Sequence, residues 1–482
     1  MALILLVITP IIAVLLSLAV PRKIWPLELI AAMAAPIELG SLIMSAISVL
    51  GQKSYSFGSF LSLDPLGTIV LSTIVVVGFA ASYYSIGYLR REVQKEIIGF
   101  RRVRQYFVLF HLFLLAMFFA VTTTNPILTW LSIEATTLAT AFLISFYNKP
   151  SAMEAAWKYL IINSIGLSLG LFGTLLFLSP TMNLAADSFI SWQVLLANAH
   201  LLNPLLAKIA FVFVLIGYGT KAGLAPMHTW LPDAHSKAPS PVSALLSGAL
   251  LNVALMAILR YKAVADITVG PLFSQNLLIL FGAMSVVIPA FIIVIQKNYK
   301  RLFAYSSIEH MGIMALGFGF GGLGTFAALL HMIYHSLTKS TLFFSAGNIF
   351  LKYSSTKIYN VKGTLTVLPI TGIILLIGFL AIIGMPPFGI FMTEFYILTS
   401  GMAAYPLVVV GILIALAIIF VGFLRHTTNM ALGPNIENVP VGESNYLTVI
   451  PAIFLLSLFV IISIFLPEPV KSLVQQASLL VK

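Results

Sequence analysis

The sequence predicts an all-helical integral membrane protein of about fourteen transmembrane helices, and three observations predict it. Hydrophobic residues make up 60% of its 482 residues and charged residues only 9%, whereas a water-solvated globular protein carries roughly 25% charged residues. The mean hydropathy is +1.05. Apolar runs long enough to cross a bilayer recur along the whole chain, and at roughly 20 residues per span plus a loop the length accommodates about 12 to 16 of them.

The first run, 1–20, is as long as a full span and has its cations, Arg22 and Lys23, after it. It reads as an uncleaved first helix and not as a signal peptide. Further runs lie at about 27–50, 66–88, 105–122, 125–146, 155–178, 204–236 and 241–260. They continue at about 273–295, 303–319, 322–350, 364–400, 404–424 and 446–466. Two runs, 204–236 and 364–400, are too long for one straight helix. Each is interrupted, at Pro226 in one and at Pro386 and Pro387 in the other. Proline removes a backbone donor and breaks the helix. Within a bilayer the freed groups are tolerated only where protein or a wet cavity satisfies them. A broken helix in each half points to a central site and inverted repeats; ordinary proline kinks are the plainer alternative. Helix seven is expected to lose regular hydrogen bonding between about Lys221 and Pro226.

The charge balance agrees with a membrane chain. There are 26 Lys and Arg against 15 Asp and Glu, a net charge of +11, and the cations sit in short gaps between apolar runs. Eighteen fall in alternate gaps, from Arg22 to Arg425, and five in the others: Lys53, Arg260, Lys262, Lys471 and Lys482. That asymmetry makes the first set of gaps cytoplasmic and places both termini outside a prokaryotic plasma membrane. No arginine-rich stripe with interleaved aromatics exists, so nucleic acid is not an expected partner. The absence of cysteine excludes disulfides, thiol catalysis, iron–sulfur clusters and c-type haem in this chain. With no phosphate-binding G-x-x-x-x-G-K-[ST] loop either, the energy for any work must come from a gradient or a partner.

An ionisable group at a helix centre costs on the order of 2.5–3.5 kcal/mol to insert, so the few present need a reason. Glu134 sits mid-span in ILTWLSIEATTLAT, Lys221 at the first break, and Glu394 just past the second. His331, His335 and Lys339 recur every four residues, which stacks them on one helix face about 6 Å apart. That spacing suits a proton relay bridged by water; three separate polar groups, each with its own partner, is the plainer reading. Zinc on His331 and His335 is disfavoured, because no H-E-x-x-H glutamate or evident third ligand accompanies them. Glu134 and Lys221, opposite charges on different spans, are expected to approach each other among polar groups or waters, each tuning the other's proton affinity. A purely structural ion pair is the alternative. Nearer span ends lie Glu38, His228, Asp233, His235, Glu309 and His310.

These residues occur in segments with a family likeness. WLSIEATTLAT, KAGLAPMHTWLPDAHSKAPSPVSALLSG, AYSSIEHMG, HMIYHSLTKSTLFFSAGNI and GMPPFGIFMTEF, in that order, resemble the antiporter-like membrane subunits of respiratory complex I, Mrp-type cation/proton antiporters and group 4 membrane-bound hydrogenases. The resemblance covers about residues 60–430. It implies fourteen helices with two inverted five-helix repeats: 1–104 as helices one to three, 105–262 and 263–428 as the repeats, and 429–482 as the last helix. It also implies a membrane-central axis of charged residues. Glu134 looks like the family's fifth-helix glutamate, Lys221 its partner lysine, His331, His335 and Lys339 the eleventh-helix relay, and Glu394 the terminal group on the broken twelfth helix. Many members carry a lysine on helix eight where LLNVALMAILR places Asn252. Asparagine cannot titrate, so the central role passes to Lys339 or the histidines, and the pattern looks most like the hydrogenase branch and its archaeal sulfur-reducing relatives.

The resulting expectation is a proton- or cation-translocating subunit of a membrane-bound oxidoreductase complex, with no cofactor or metal of its own. Its implied partners are other membrane subunits and a peripheral redox arm holding iron–sulfur clusters. Lys221, the relay and Glu394 would change protonation in sequence, with His228 and His235 as candidates for proton uptake and Asn252, Glu309 and His310 as further pathway residues. The alternatives are a subunit of an Mrp-type sodium/proton antiporter, driven by the gradient alone, and a membrane scaffold that no longer pumps.

Overall fold

In the computed structural model, which describes residues 1–179, 190–434 and 439–481, the protein is almost entirely helical. The first half runs α1 (Ala2–Ala19), α2 (Trp25–Gln52), α3 (Pro65–Gln94), α4 (Phe100–Thr122), α5 (Pro126–Ile144) and α6 (Pro150–Leu178). A short α7 (Trp192–Ala197) precedes α8 (Pro204–Ala222), α9 (Trp230–Lys237), α10 (Ser240–Leu245) and α11 (Leu251–Val269). Then come α12 (Pro271–Val294), α13 (Tyr299–Phe320), α14 (Leu323–Tyr353), α15 (Thr364–Val367) and α16 (Pro369–Ile382). The last four are α17 (Gly389–Met402), α18 (Pro406–Ala431), α19 (Tyr446–Ile464) and α20 (Glu468–Leu480).

Several helices start at a proline preceded by a side chain that caps them. Asp64 accepts from Gly67 N at 2.7 Å ahead of Pro65. Asn125 and Asn203 cap α5 and α8 ahead of Pro126 and Pro204. Proline has no amide hydrogen to leave orphaned at this position, and the Asx oxygen satisfies a donor that follows.

Among the described residues, eleven helices are long and apolar enough to span a membrane by length and composition. Burial grades across them: the most apolar stretch of Ser240–Val269 is 100% buried, that of α1 only 33%. The exposed leucines of α1, Leu15, Leu16 and Leu18, therefore mark a lipid- or partner-facing rim. α13 and α14 have the length to span but are not among the eleven, because they carry the polar side chains described below. The broken run 364–400 appears as α16 and α17, each of 14 residues.

Three elements have no counterpart in the apolar pattern. A hairpin of β1 (Tyr55–Phe57) and β2 (Leu61–Leu63) follows α2, α7 precedes α8, and amphipathic α20 buries Val474 and Ala477 while packing on α3 and α14. Lys482, one of the five cations on the sparser side, lies outside the described residues.

Candidate functional site

The first break is locally determined. α8 ends at Ala222 because Gly223 adopts φ +76°, a left-handed cap that glycine accepts without penalty. Residues 223–229 form the turn, and Ala225–Pro226 is cis. The break thus begins just past Lys221, which stays in the last helical turn. The polar groups freed there are held by neighbours: Trp230 Nε1 donates to Thr220 O at 2.9 Å, and Ala225 N donates to Ser285 Oγ on α12 at 2.8 Å.

Lys221 is fully buried. Its Nζ donates to Thr137 Oγ1 at 2.8 Å and to the Tyr159 hydroxyl at 2.7 Å. Thr137 donates to Glu134 Oε2 at 3.4 Å, and Ser164 donates to Glu134 Oε1 at 2.7 Å. No ion pair joins Glu134 and Lys221 among the described residues; the threonine hydroxyl stands between them. Glu134 is half-buried at the rim, beside exposed Leu131 and Leu138. Thr140 Oγ1 lies 2.5 Å from the Tyr159 hydroxyl and also donates to Thr136 O. Thr140 has one hydrogen, so Tyr159 donates to it and keeps its lone pairs facing the lysine.

Tyr159 belongs to α6 and Lys221 to α8, so their contact depends on how closely those helices approach. The approach is set at Gly217, one turn before Lys221. A Cβ there would lie 2.7 Å from Gly166 O and collide with the Gly170 backbone. Small residues at such crossings let membrane helices touch backbone to backbone. Gly217→Val is expected to cost about 1–3 kcal/mol, read as a lower melting temperature in detergent, with reduced transport because Lys221 moves off Tyr159. An unchanged melt would show that the two helices part freely.

The second cluster lies between α13, α14 and α17. His331, His335 and Lys339 are all buried on α14, as their spacing requires, yet they do not form a single file along that helix. His331 Nε2 meets His310 Nδ1 of α13 at 2.9 Å, and Lys339 Nζ donates to Phe303 O of α13 at 3.1 Å. Among the described residues His335 has no hydrogen-bond partner on either ring nitrogen, and its ring centroid is 5.4 Å from that of His310. The ionisable groups alternate between α13 and α14. Glu309 is within electrostatic reach of Lys339 and Glu394, with Oε2 3.4 Å from His310 Nε2. Glu394 Oε1 lies 4.0 Å from His310 Nδ1.

The histidine pair has a hydrogen-bond logic. His310 Nε2 lies 3.0 Å from Ile382 O, the last residue of α16 before the second break. A carbonyl only accepts, so this nitrogen carries hydrogen and neutral His310 offers a bare Nδ1. His331 then donates from Nε2, and its bare Nδ1 accepts from Thr393 Oγ1 at 2.8 Å. Thr393 can instead donate to Ile390 O, also at 2.8 Å. In that setting His331 Nδ1 must carry hydrogen, and the two imidazoles share one extra proton. Thr393 therefore has two positions that match the unloaded and loaded pair; the tautomers are assigned from the network. His310, His331 and Glu394 place three ligand-type atoms within 4.8 Å of one another, but the two ring nitrogens are occupied by each other, which suits proton sharing.

Of the other expected residues, Asn252 Nδ2 donates to Ser336 Oγ of α14 at 2.8 Å while its Oδ1 has no protein partner. His235, on α9, is fully buried, stacks on Phe343 at 4.9 Å and has neither nitrogen bonded. It sits within electrostatic reach of Lys339 and Lys300. His228 lies 6.4 Å from the ring of Tyr305 and joins neither cluster by a hydrogen bond. Thr137, Tyr159, Ser164, Thr393 and Ser336 are site residues that the sequence did not single out. Thr137 and Thr393 lie beside Glu134 and Glu394 in the quoted segments, which is the one signal that could have found them.

Residues 123–419, well over half the chain, match the family described as NADH:quinone oxidoreductase/Mrp antiporter, transmembrane. The chain belongs to this family. The antiporter-like chain is 39% identical over 432 residues to the hydrogenase-4 component F homolog of Methylacidiphilum infernorum (isolate V4), across 88% of this chain and 89% of the relative. It is 28% identical over 422 residues to NADH-quinone oxidoreductase subunit N of Desulforudis audaxviator (strain MP104C), across 84% and 80%. Among solved structures, it superposes on a chain of the archaeal membrane-bound sulfane sulfur reductase with a TM-score of 0.86 at 23% identity, covering 99% of this chain and 97% of that one. For the Mrp complex from Dietzia sp. DQ12-45-1b the TM-score is 0.84 at 15% identity, covering 100% and 97%. At those identities the likeness establishes the fold, and the two structures named come from multi-subunit membrane complexes.

Proposed function

We propose that this antiporter-like subunit moves protons across the membrane within a hydrogenase-type oxidoreductase complex. The route joins Glu134, Thr137 and Lys221 in the first half to Lys339, His335, His331, His310 and Glu394 in the second. The observation that carries this reading is the 2.9 Å contact between His310 and His331, with Thr393 on one side and Glu394 on the other. Two imidazoles that can share a proton beside a carboxylate make a proton-transfer unit. Support between the clusters comes from buried polar atoms with no protein partner: both nitrogens of His235 and His335, Asn252 Oδ1 and Thr338 Oγ1. Each costs about 1–3 kcal/mol if left unpaired, so water is their natural partner, and water files conduct protons.

The fourteen-pass arrangement fits the eleven apolar spans once α13, α14 and the broken pair α16–α17 are added. Five-helix repeats over 105–262 and 263–428, cytoplasmic cation-rich gaps and outside termini belong to the same reading. So do iron–sulfur clusters in a peripheral partner arm. His235, within electrostatic reach of both Lys300 and Lys339, is the better uptake group than His228.

The test is Glu394→Gln in the intact complex, reconstituted in vesicles. Glutamine keeps the shape but cannot take up or release a proton, and the loss of a positioned proton-transfer group costs roughly a hundredfold in rate. Translocation should fall by at least that while the complex still assembles. Unchanged pumping in a correctly assembled variant removes Glu394 from the route. The second reading, a gradient-driven Mrp-type subunit moving sodium, draws on the 0.84 TM-score with the Mrp complex. Purification separates the two: redox subunits retained with the chain support the first, and small membrane subunits alone support the second.

A further inference from the structure

Where α12 ends and α18 approaches its own end, the two helices and the segment around 357–362 enclose a cavity of about 800 Å³. Four cations line it, Lys297, Lys357, Lys362 and Arg425. None of them has an acidic partner within ion-pair distance among the described residues. Like charges gathered without acids repel one another; Lys362 lies over the Tyr359 ring at 5.2 Å, and the four cations together offer a seat for an anion.

The cavity is also built firmly. Gly422 lets α18 press on α12, since a Cβ there would lie 3.3 Å from Val294 Cα. The His426 Nε2 group meets Ile293 O at 3.0 Å, which pins the two helices at the cavity wall. Immediately along the same two helices the outer surface turns apolar and open: Phe291 and Ile295 on α12 are 63% and 72% exposed, Val421 and Leu424 on α18 62% and 43%. A cationic floor continuous with an exposed apolar apron on membrane-spanning helices has the two-part chemistry of a phospholipid, with an anionic head and hydrocarbon chains. A free phosphate would use the floor and leave the apron bare. An acidic protein segment would need polar company that the apron does not offer.

We propose that this cavity binds an anionic phospholipid of the adjoining leaflet, its phosphate on Lys297, Lys357, Lys362 and Arg425 and its acyl chains along α12 and α18. The cavity shares no lining residue with the ionisable clusters, so the proposal holds whether or not they pump. Its expected role is to fix the end of α18 against α12.

The test uses the full chain in phosphatidylcholine nanodiscs doped with phosphatidylglycerol, with retained lipid counted by native mass spectrometry. A variant with Lys297, Lys357, Lys362 and Arg425 all changed to glutamine should bind phosphatidylglycerol at least about tenfold more weakly, given roughly 1 kcal/mol per basic residue near an anionic headgroup. An Arg101→Gln, Arg102→Gln control should bind it as the parent does. Glycerol 3-phosphate, which has the head without the chains, should fail to displace the lipid. Equal retention of the two lipids, equal loss in the control, an unaffected fourfold variant or displacement by glycerol 3-phosphate would each overturn the proposal. A photo-crosslinking residue at Tyr359, which is 81% exposed on the cavity lining, should capture lipid in the assembled complex. Capture of a partner protein there would overturn the proposal as well.

Discussion

Replacing Lys221 by leucine is expected to reduce ion translocation about a hundredfold, the low end of what a positioned proton-transfer group contributes, while the protein stays folded. Lys221 is fully buried and satisfied by two hydroxyls rather than by a carboxylate. Its removal leaves no uncompensated buried charge, because Thr137 can turn to Glu134 and Tyr159 already donates to Thr140. Exchanging a buried ionisable group for an apolar one of similar volume is often neutral or stabilising, so the melting temperature should hold or rise as transport collapses. Glu134→Gln should cost less than Lys221→Leu, since Glu134 reaches the lysine only through a hydroxyl that glutamine can also engage. Vesicle proton uptake paired with a thermal melt separates these outcomes. A Lys221→Leu protein that melts early but pumps at the parent rate would make the lysine structural.

An effect of comparable size is expected for His331→Phe. Phenylalanine fills the space of the imidazole but breaks both of its contacts, to His310 at 2.9 Å and to Thr393 at 2.8 Å. Among the described residues no other group is bonded to both neighbours, so transport should fall about a hundredfold. Thr393→Val tests the hydroxyl by itself. Valine keeps the branched shape and removes the group that turns between His331 and Ile390 O. A loss near tenfold, about 1.4 kcal/mol, is the net worth of one such hydrogen bond, and Thr393→Ser should restore most of it. If valine and serine behave alike, the hydroxyl takes no part and Thr393 is only packing.

Much of this architecture was legible in the sequence because the bilayer leaves few choices. Long apolar runs must be helices, and prolines 226, 386 and 387 mark where two of them cannot stay regular. The exact start of the first break was set by Gly223, whose positive φ ends α8 after Lys221. The hydroxyls of the site were not legible. Most hydroxyls in membrane helices bond back to their own helix, as Ser82, Thr122 and Ser132 do here. Only their places beside Glu134 and Glu394 mark out Thr137 and Thr393, which also bond to another helix. Four-residue spacing likewise places His331, His335 and Lys339 on one face, but only the neighbouring helix decides what each meets. His310 on α13 takes His331, and His335 goes unbonded. α20 went unseen because its apolar residues form a stripe and not a run.

The two helices that carry the second cluster have a consequence for how the protein is made. α13 and α14 have the length to span but are not among the helices apolar enough to do so by themselves. Lys339 alone adds about 2.5–3.5 kcal/mol to the cost of partitioning into lipid. A nascent α14 emerging from the ribosome cannot leave the translocation channel alone at that cost. It must be released together with α13 and with the helices already packed beside them, α10 and α12. The polar residues of the second cluster thus bear on the order of assembly, and insertion of this chain is expected to depend on its polar segments being held until their neighbours arrive.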